Sequence, residues 1–310
     1  MPRYHVARSI EIAATPRQVF EAVADYETWT AWSPWLLADP EAKVTVSSPA
    51  NQTGSTYAWE GKVTGQGVLH HRQLIPDKLV EDELRFLKPF KSTCDNSFDF
   101  QPTSTGTQLT WNMRGSMPWF MFWMIPMFKT FIGMDFQRGL TMLKDWIETG
   151  AIPSQVEVCG AQSVGPLRVA GLADSTPVDE VAKKMERTFH DARVEFSEVG
   201  LKPGAPVSVY TRFQVKKGVF DYLSGFELPP GQSLPAGSRL KLWELPPVEA
   251  FHVRHTGSYR HLGNGWSVAN QLVRHLKLKQ RSCGTFEIYR NWPGEVPESE
   301  LVTDIYLPLK

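Results

Sequence analysis

Two periodicities divide the first half of the chain. Residues 5–12 alternate apolar and polar as a strand does. Thr15-Pro16-Arg17-Gln18 then supplies a capping Thr, a Pro for the first helical turn and a Gln to close a capping box. Val19, Phe20 and Val23 mark one helical face, and residues 25–35 predict a second short helix that turns at Ser33-Pro34. Alternating segments follow at 55–62, 63–74, 78–86, 92–101 and 107–114, separated by turn-forming residues at 51–54, 75–77 and 102–106. Last, Ile132, Phe136, Leu140, Leu143 and Ile147 recur at spacings of three and four, which predicts one long helix.

This order of elements predicts an α+β helix-grip domain, a curved antiparallel sheet around a long C-terminal helix with a cavity between them. Residues 150–156 read as a linker, and past them the pattern restarts. Strands at 167–172, 206–213 and 218–226 surround a helix whose apolar face carries Val178, Val181, Met185 and Phe189. After a Pro- and Gly-rich connection the order returns: a strand at 248–255, a helix at 259–276 and strands at 284–289 and 302–308. The second half therefore predicts a duplicated βαββ domain, and the division is 1–149, 150–156 and 157–310.

Composition narrows the partners. The 310 residues carry 33 basic and 33 acidic side chains, and neither half has a basic excess that would neutralise several phosphates. Direct nucleic acid binding is not expected. Three widely spaced cysteines argue against a disulfide framework. The histidines give no metal site, since His252 and His255 fall on opposite faces of a strand and His70-His71 does likewise. No nucleotide or cofactor motif appears. The N-terminal MPRYHVARSI lacks an apolar core, so it does not read as a signal peptide, and a cytoplasmic protein is expected. Residues 117–128, MPWFMFWMIPMF, are too short to span a membrane. They are expected to form a buried or groove-lining helix, with a membrane-surface contact, a homodimer face and a pocket lid as alternatives.

The DYETWTAWSPW segment at 25–35, together with GLTMLKDWIE at 139–148, resembles the START-like polyketide cyclase superfamily, SRPBCC. That superfamily contains cyclases, lipid carriers and hormone receptors. Three segments of the second half, His255-Thr-Gly257-Ser-Tyr259, Phe286-Glu287-Ile-Tyr289-Arg-Asn291-Trp-Pro293 and Thr303-Asp-Ile-Tyr306-Leu-Pro308, resemble the gyrase-inhibitor-like (GyrI-like) small-molecule-binding domain.

Candidate chemistry centres on Glu287. Alternation places it with Thr285 and Tyr289 on one face of its strand, with Phe286 and Ile288 on the other face beneath the helices. The resemblance implies that this Glu lines a ligand pocket, together with Tyr210, Tyr222, Tyr259, Trp266, Trp292 and Tyr306. A carboxylate among rings suits a hydrophobic, aromatic, cationic small molecule. The resemblance also implies an alternative, a hydrolase or cyclase acting on a strained or polyketide-like ring with Glu287 as the catalytic group. A third reading is an interaction module that inhibits a protein such as a topoisomerase. In the first domain, Trp59, His70, Trp111, Met121 and Met124 are candidates for a second pocket.

Overall fold

The computed structural model describes the residues of the chain apart from Ala182. It divides into two compact units, Met1–Ile152 and Pro153–Lys310. In the first unit, β1 (Arg3–Ile12), α1 (Pro16–Ala24) and the short α2 (Trp29–Trp32) precede β2 (Lys43–Val46), β3 (Thr56–Gly61), β4 (Gly65–Ile75), β5 (Leu79–Lys88), β6 (Ser92–Pro102), β7 (Thr107–Ser116) and α3 (Ile125–Thr149). The strands form one antiparallel sheet in the order β1-β7-β6-β5-β4-β3-β2, packed on α3, so the helix-grip expectation holds. The capping box forms as read: Gln18 donates its backbone N–H to Thr15, and the Gln18 side chain accepts from the Thr15 backbone at 3.0 Å. Gly150 ends α3 at φ 75°, a left-handed turn that an L side chain disfavours.

The expected cavity is occupied by the domain's own side chains. Trp111 stacks on Phe136 of α3 at 4.1 Å and meets Trp32 edge-on at 5.9 Å, and all three are buried. At Gly139 the helix passes so close that a Cβ would stand 2.9 Å from the Trp111 ring. Residues 117–128 also differ from expectation. A 3₁₀ turn over Trp119–Met124 leads into α3 with the rings of Trp119, Phe120, Phe122 and Trp123 exposed.

In the second unit, β8 (Ser154–Val164) begins inside the segment read as a linker. Then follow β9 (Leu167–Pro177), α4 (Val181–Glu198), β10 (Pro206–Gln214), β11 (Val219–Glu227), β12 (Lys241–Leu245), β13 (Val248–Gly257), α5 (Leu262–His275), β14 (Thr285–Tyr289) and β15 (Val302–Pro308). The sheet order is β12-β9-β11-β10-β14-β15-β13-β8. Two βαββ units thus meet at β10 and β14, and the strand preceding each unit pairs with the first strand of the other.

The helices lie on the face opposite to the one expected. Phe286 and Ile288 pack with Val207, Val209, Val248 and Tyr306 on the helix-free face, whose apolar side chains meet as the sheet curls. Tyr289 packs with Met185, Phe189 and Phe196 of α4. Alternation separates the two sets of side chains but does not say which set the helices cover.

Candidate functional site

Glu287 sits in the middle of β14, opposite Ser208 of β10 and Ile305 of β15, and is fully buried. Its Oε1 accepts hydrogen bonds from the Tyr210 hydroxyl and, at 3.1 Å, from the Trp266 indole N–H of α5. The Tyr210 and Trp266 rings stand edge to face at 5.1 Å. From α4, the Met185 sulfur accepts hydrogen bonds from the hydroxyls of Tyr289 at 3.3 Å and Ser208 at 3.2 Å. Oε2 has no hydrogen-bond partner. The Tyr289 hydroxyl stands near enough to act on the carboxylate's charge without making an aligned bond to it.

These surroundings set the electrostatics. Burial raises the pKa of Glu287, and the donors Tyr210 and Trp266, with the Tyr289 hydroxyl nearby, offset only part of that rise. The Tyr210 and Tyr289 phenols are pushed well above their ordinary value by burial and then by the neighbouring carboxylate. Every group holding Glu287 is a neutral donor.

Asp304, on the adjacent strand and the opposite face, shows what a neutralised carboxylate looks like in the same sheet. Arg254 grips it with two bonds of 2.7 and 3.1 Å, and Arg290 adds one of 2.6 Å. His252 Nε2 approaches within 2.9 Å, off the hydrogen-bonding direction. Burial would raise the Asp304 pKa, but its basic neighbours hold it far below the usual carboxylate range.

The structure gathers part of the remaining expected set around Glu287. Tyr222 pairs with Tyr210 across β10 and β11, while its hydroxyl turns to Thr188 at 3.3 Å and Asp174 at 3.4 Å. Tyr259 meets the Tyr289 ring at 5.4 Å and donates to the Asn291 carbonyl at 3.4 Å. Trp292 lies one ring further out, 6.2 Å from Tyr289, and packs against Phe189. Tyr306 is not part of this group, because it lies on the other face between Phe286 and His252. Met185, Ser208 and Tyr289 complete the surroundings without having been singled out. Tyr289 shares the alternation of Glu287, and Met185 lies on the predicted apolar face of its helix, so the sequence held both signals.

The five candidates of the first domain do not assemble. Trp111 is a core ring whose N–H bonds Asn96 at 2.6 Å. Trp59 donates to the Thr64 carbonyl at 3.4 Å and meets Phe86 edge-on. His70 lies on the face of β4 away from buried Leu69 and His71. Met121 and Met124 are half-buried in the 3₁₀ turn. Of the adjacent pair on β4, His71 is the buried one. Nδ1 stands 2.5 Å from Asp82, Nε2 stands 2.9 Å from the Ala24 carbonyl, and the ring stacks on Tyr26 at 3.8 Å. Among the described residues, no group of three His, Cys, Asp or Glu side chains is arranged to hold a metal ion.

Comparison with known proteins places both halves. Residues 3–148 match the family described as polyketide cyclase / dehydrase and lipid transport. Residues 162–310 match the GyrI-like small molecule binding domain. No curated protein sequence matches the chain. Among solved structures, a protein from Chromobacterium violaceum is 16% identical, with a TM-score of 0.36, over 46% of this chain and 97% of its own. The Aha1 dimer from Colwellia psychrerythraea is 19% identical, with a TM-score of 0.33, over 47% and 98%. EcmrR in its DNA complex is 14% identical, with a TM-score of 0.42, over 58% and 66%.

Proposed function

With a polyketide cyclase-type domain over residues 3–148 and a GyrI-like small-molecule binding domain over residues 162–310, we propose that the chain binds an aromatic, cationic small molecule at Glu287. One observation carries this reading. A fully buried carboxylate is held by neutral donors alone, and one of its oxygens has no partner. A buried charge without a counter-charge costs several kcal/mol, on the order of the desolvation of a single ion. A ligand that brings a positive charge offsets that cost, and the rings of Tyr210, Trp266 and Tyr289 offer it faces and edges. Since Glu287 is closed off from solvent, binding requires Trp266 on α5 or Met185 on α4 to swing aside. Sensing, sequestration and detoxification all begin with this step.

The test is a titration of the full chain with a fluorescent aromatic cation and with its neutral isostere. The cation binds more tightly to wild type. Glu287→Gln weakens it by about tenfold or more, roughly 1.4 kcal/mol, and leaves the isostere nearly unchanged. Equal affinity of the cation for both proteins sinks the reading.

The upward push on Glu287 favours a second reading, in which the carboxyl works as a general acid or base on a strained or polyketide-like ring. Turnover of such a substrate by wild type, abolished in Glu287→Gln while binding is kept, would distinguish it.

A further inference from the structure

An aromatic ridge and a basic cleft adjoin on the first domain. The ridge is the 3₁₀ turn bracketed by Pro118 and Pro126, where Trp119, Phe120, Phe122 and Trp123 are 75%, 60%, 60% and 57% exposed. Phe131, further along α3, is 41% exposed. Water-facing surfaces seldom gather so much ring area without a partner.

Beside the ridge, β1 and the first turns of α3 frame a cleft of about 350 Å³ lined by His5, Arg8, Lys129 and Thr130. The Arg8 side chain reaches across to Gly133 of α3, where a Cβ would strike its guanidinium. It donates to the Ala7 carbonyl at 2.7 Å. Among the described residues, neither Arg8 nor Lys129 forms an ion pair with an acidic side chain, and the sequence between Asp99 and Asp135 contains no Asp or Glu. Ridge and cleft are therefore apolar and positive together.

We propose that the first domain docks on an anionic phospholipid surface, with the ridge entering the headgroup boundary and the cleft receiving a lipid phosphate. Trp and Phe at the water boundary, flanked by Lys and Arg, are the side chains that a negatively charged bilayer selects. A second copy of the chain fits less well, because a symmetric contact would set cation against cation with no carboxylate from this segment between them.

Sedimentation of the full chain with vesicles tests this directly. One set is phosphatidylcholine alone and the other contains about one third phosphatidylglycerol. Wild type should sediment with the anionic vesicles and be released by high salt. The pair Trp119→Ala and Trp123→Ala should weaken that binding by about tenfold or more, and Arg8→Glu with Lys129→Glu should erase the preference for the anionic set. All four positions are exposed, and an unchanged melting temperature checks that the variants fold. Absence of sedimentation with either vesicle overturns the proposal, as does binding that the variants leave untouched. Self-association lost in the Trp pair, without vesicle binding, assigns the ridge to a second copy and equally overturns it.

Discussion

Asp82 and Glu287 are carboxylates buried on the inner strands of two different sheets, and their surroundings differ in kind. Asp82 receives His71 at 2.5 Å and the Tyr26 hydroxyl at 3.1 Å on one oxygen, and the Asn96 amide at 3.0 Å on the other. The far nitrogen of His71 is also occupied, facing the Ala24 carbonyl. Both histidine nitrogens thus face acceptors, and the network closes on itself. Glu287 has two neutral donors on one oxygen and none on the other. Closed buried networks specify a unique interior, whereas an open one holds binding capacity at a cost in stability. The first domain has spent its interior on folding, and the second has left a position in which a visitor completes the bonding.

The largest effect expected from this contrast is on stability. Asp82→Ala strands His71 and the hydroxyl of Tyr26 in an apolar core and should cost about 3–5 kcal/mol. Glu287→Gln removes a buried carboxyl that no basic group neutralises, so it should leave stability unchanged or raise it by about 1 kcal/mol. Urea unfolding of the full chain measures both. A similar loss in the two variants would mean that Glu287 is structural and the contrast false.

The sequence carried most of the architecture because hydrophobic period and turn chemistry are local. The capping box at Thr15, the helix face from Ile132 to Ile147 and the repeated βαββ order were all legible there. What it withheld depends on assembly. Edge strand β2 alternates but is only four residues long, and β8 and β12 bury their side chains irregularly, so a partner strand specifies all three. The alternation around Glu287 was correct, but the side taken by the helices was not encoded in that strand. Tyr306, expected at the Glu287 site, lies across the sheet from it because β15 sets it opposite Phe286, a register that neither strand encodes alone. In His70-His71, two adjacent histidines gave no hint of which faced inward. That was decided by the positions of Asp82, 11 residues on, and of the Ala24 carbonyl.

A second buried histidine sharpens the contrast. His255 bonds Ser154 at 3.0 Å through Nε2, but its Nδ1 has no partner. Burial, with the charge of His261 adding to it, lowers its pKa to about 4. With the folded value below the unfolded one, the neutral ring's contribution is fully present above about pH 6.5 and is lost as pH falls toward 4. The loss should amount to about 2–3 kcal/mol, on the order of 1.4 kcal/mol per unit of displacement. His255→Gln should flatten that limb of the stability–pH curve. A limb of unchanged depth would show that another group controls it.

Glu287 predicts a slope of opposite sign. Its folded pKa is raised, so the unfolded chain releases the proton first, and stability should decline as pH climbs from about 4.3 through the folded value. The decline should be absent in Glu287→Gln. A saturating aromatic cation should reverse it, since the bound positive charge favours the ionised carboxylate.

The smallest effect tests the contrast at a single hydroxyl. Tyr210 donates to Glu287 and thereby favours the ionised form against the larger influence of burial. Tyr210→Phe keeps the ring and its edge contact with Trp266 but removes that donor, at a cost of about 1 kcal/mol. The Glu287 pKa should then rise further, so that binding of the aromatic cation begins at a higher pH than in wild type. Affinity well above that pH should fall only a few-fold, because the charge and the ring faces are still present. A midpoint that stays in place would mean that the hydroxyl does not hold the carboxylate's charge. A midpoint that moves down would mean that water or Tyr289 donates more strongly once Tyr210 is gone, and Tyr210→Phe combined with Tyr289→Phe separates those two.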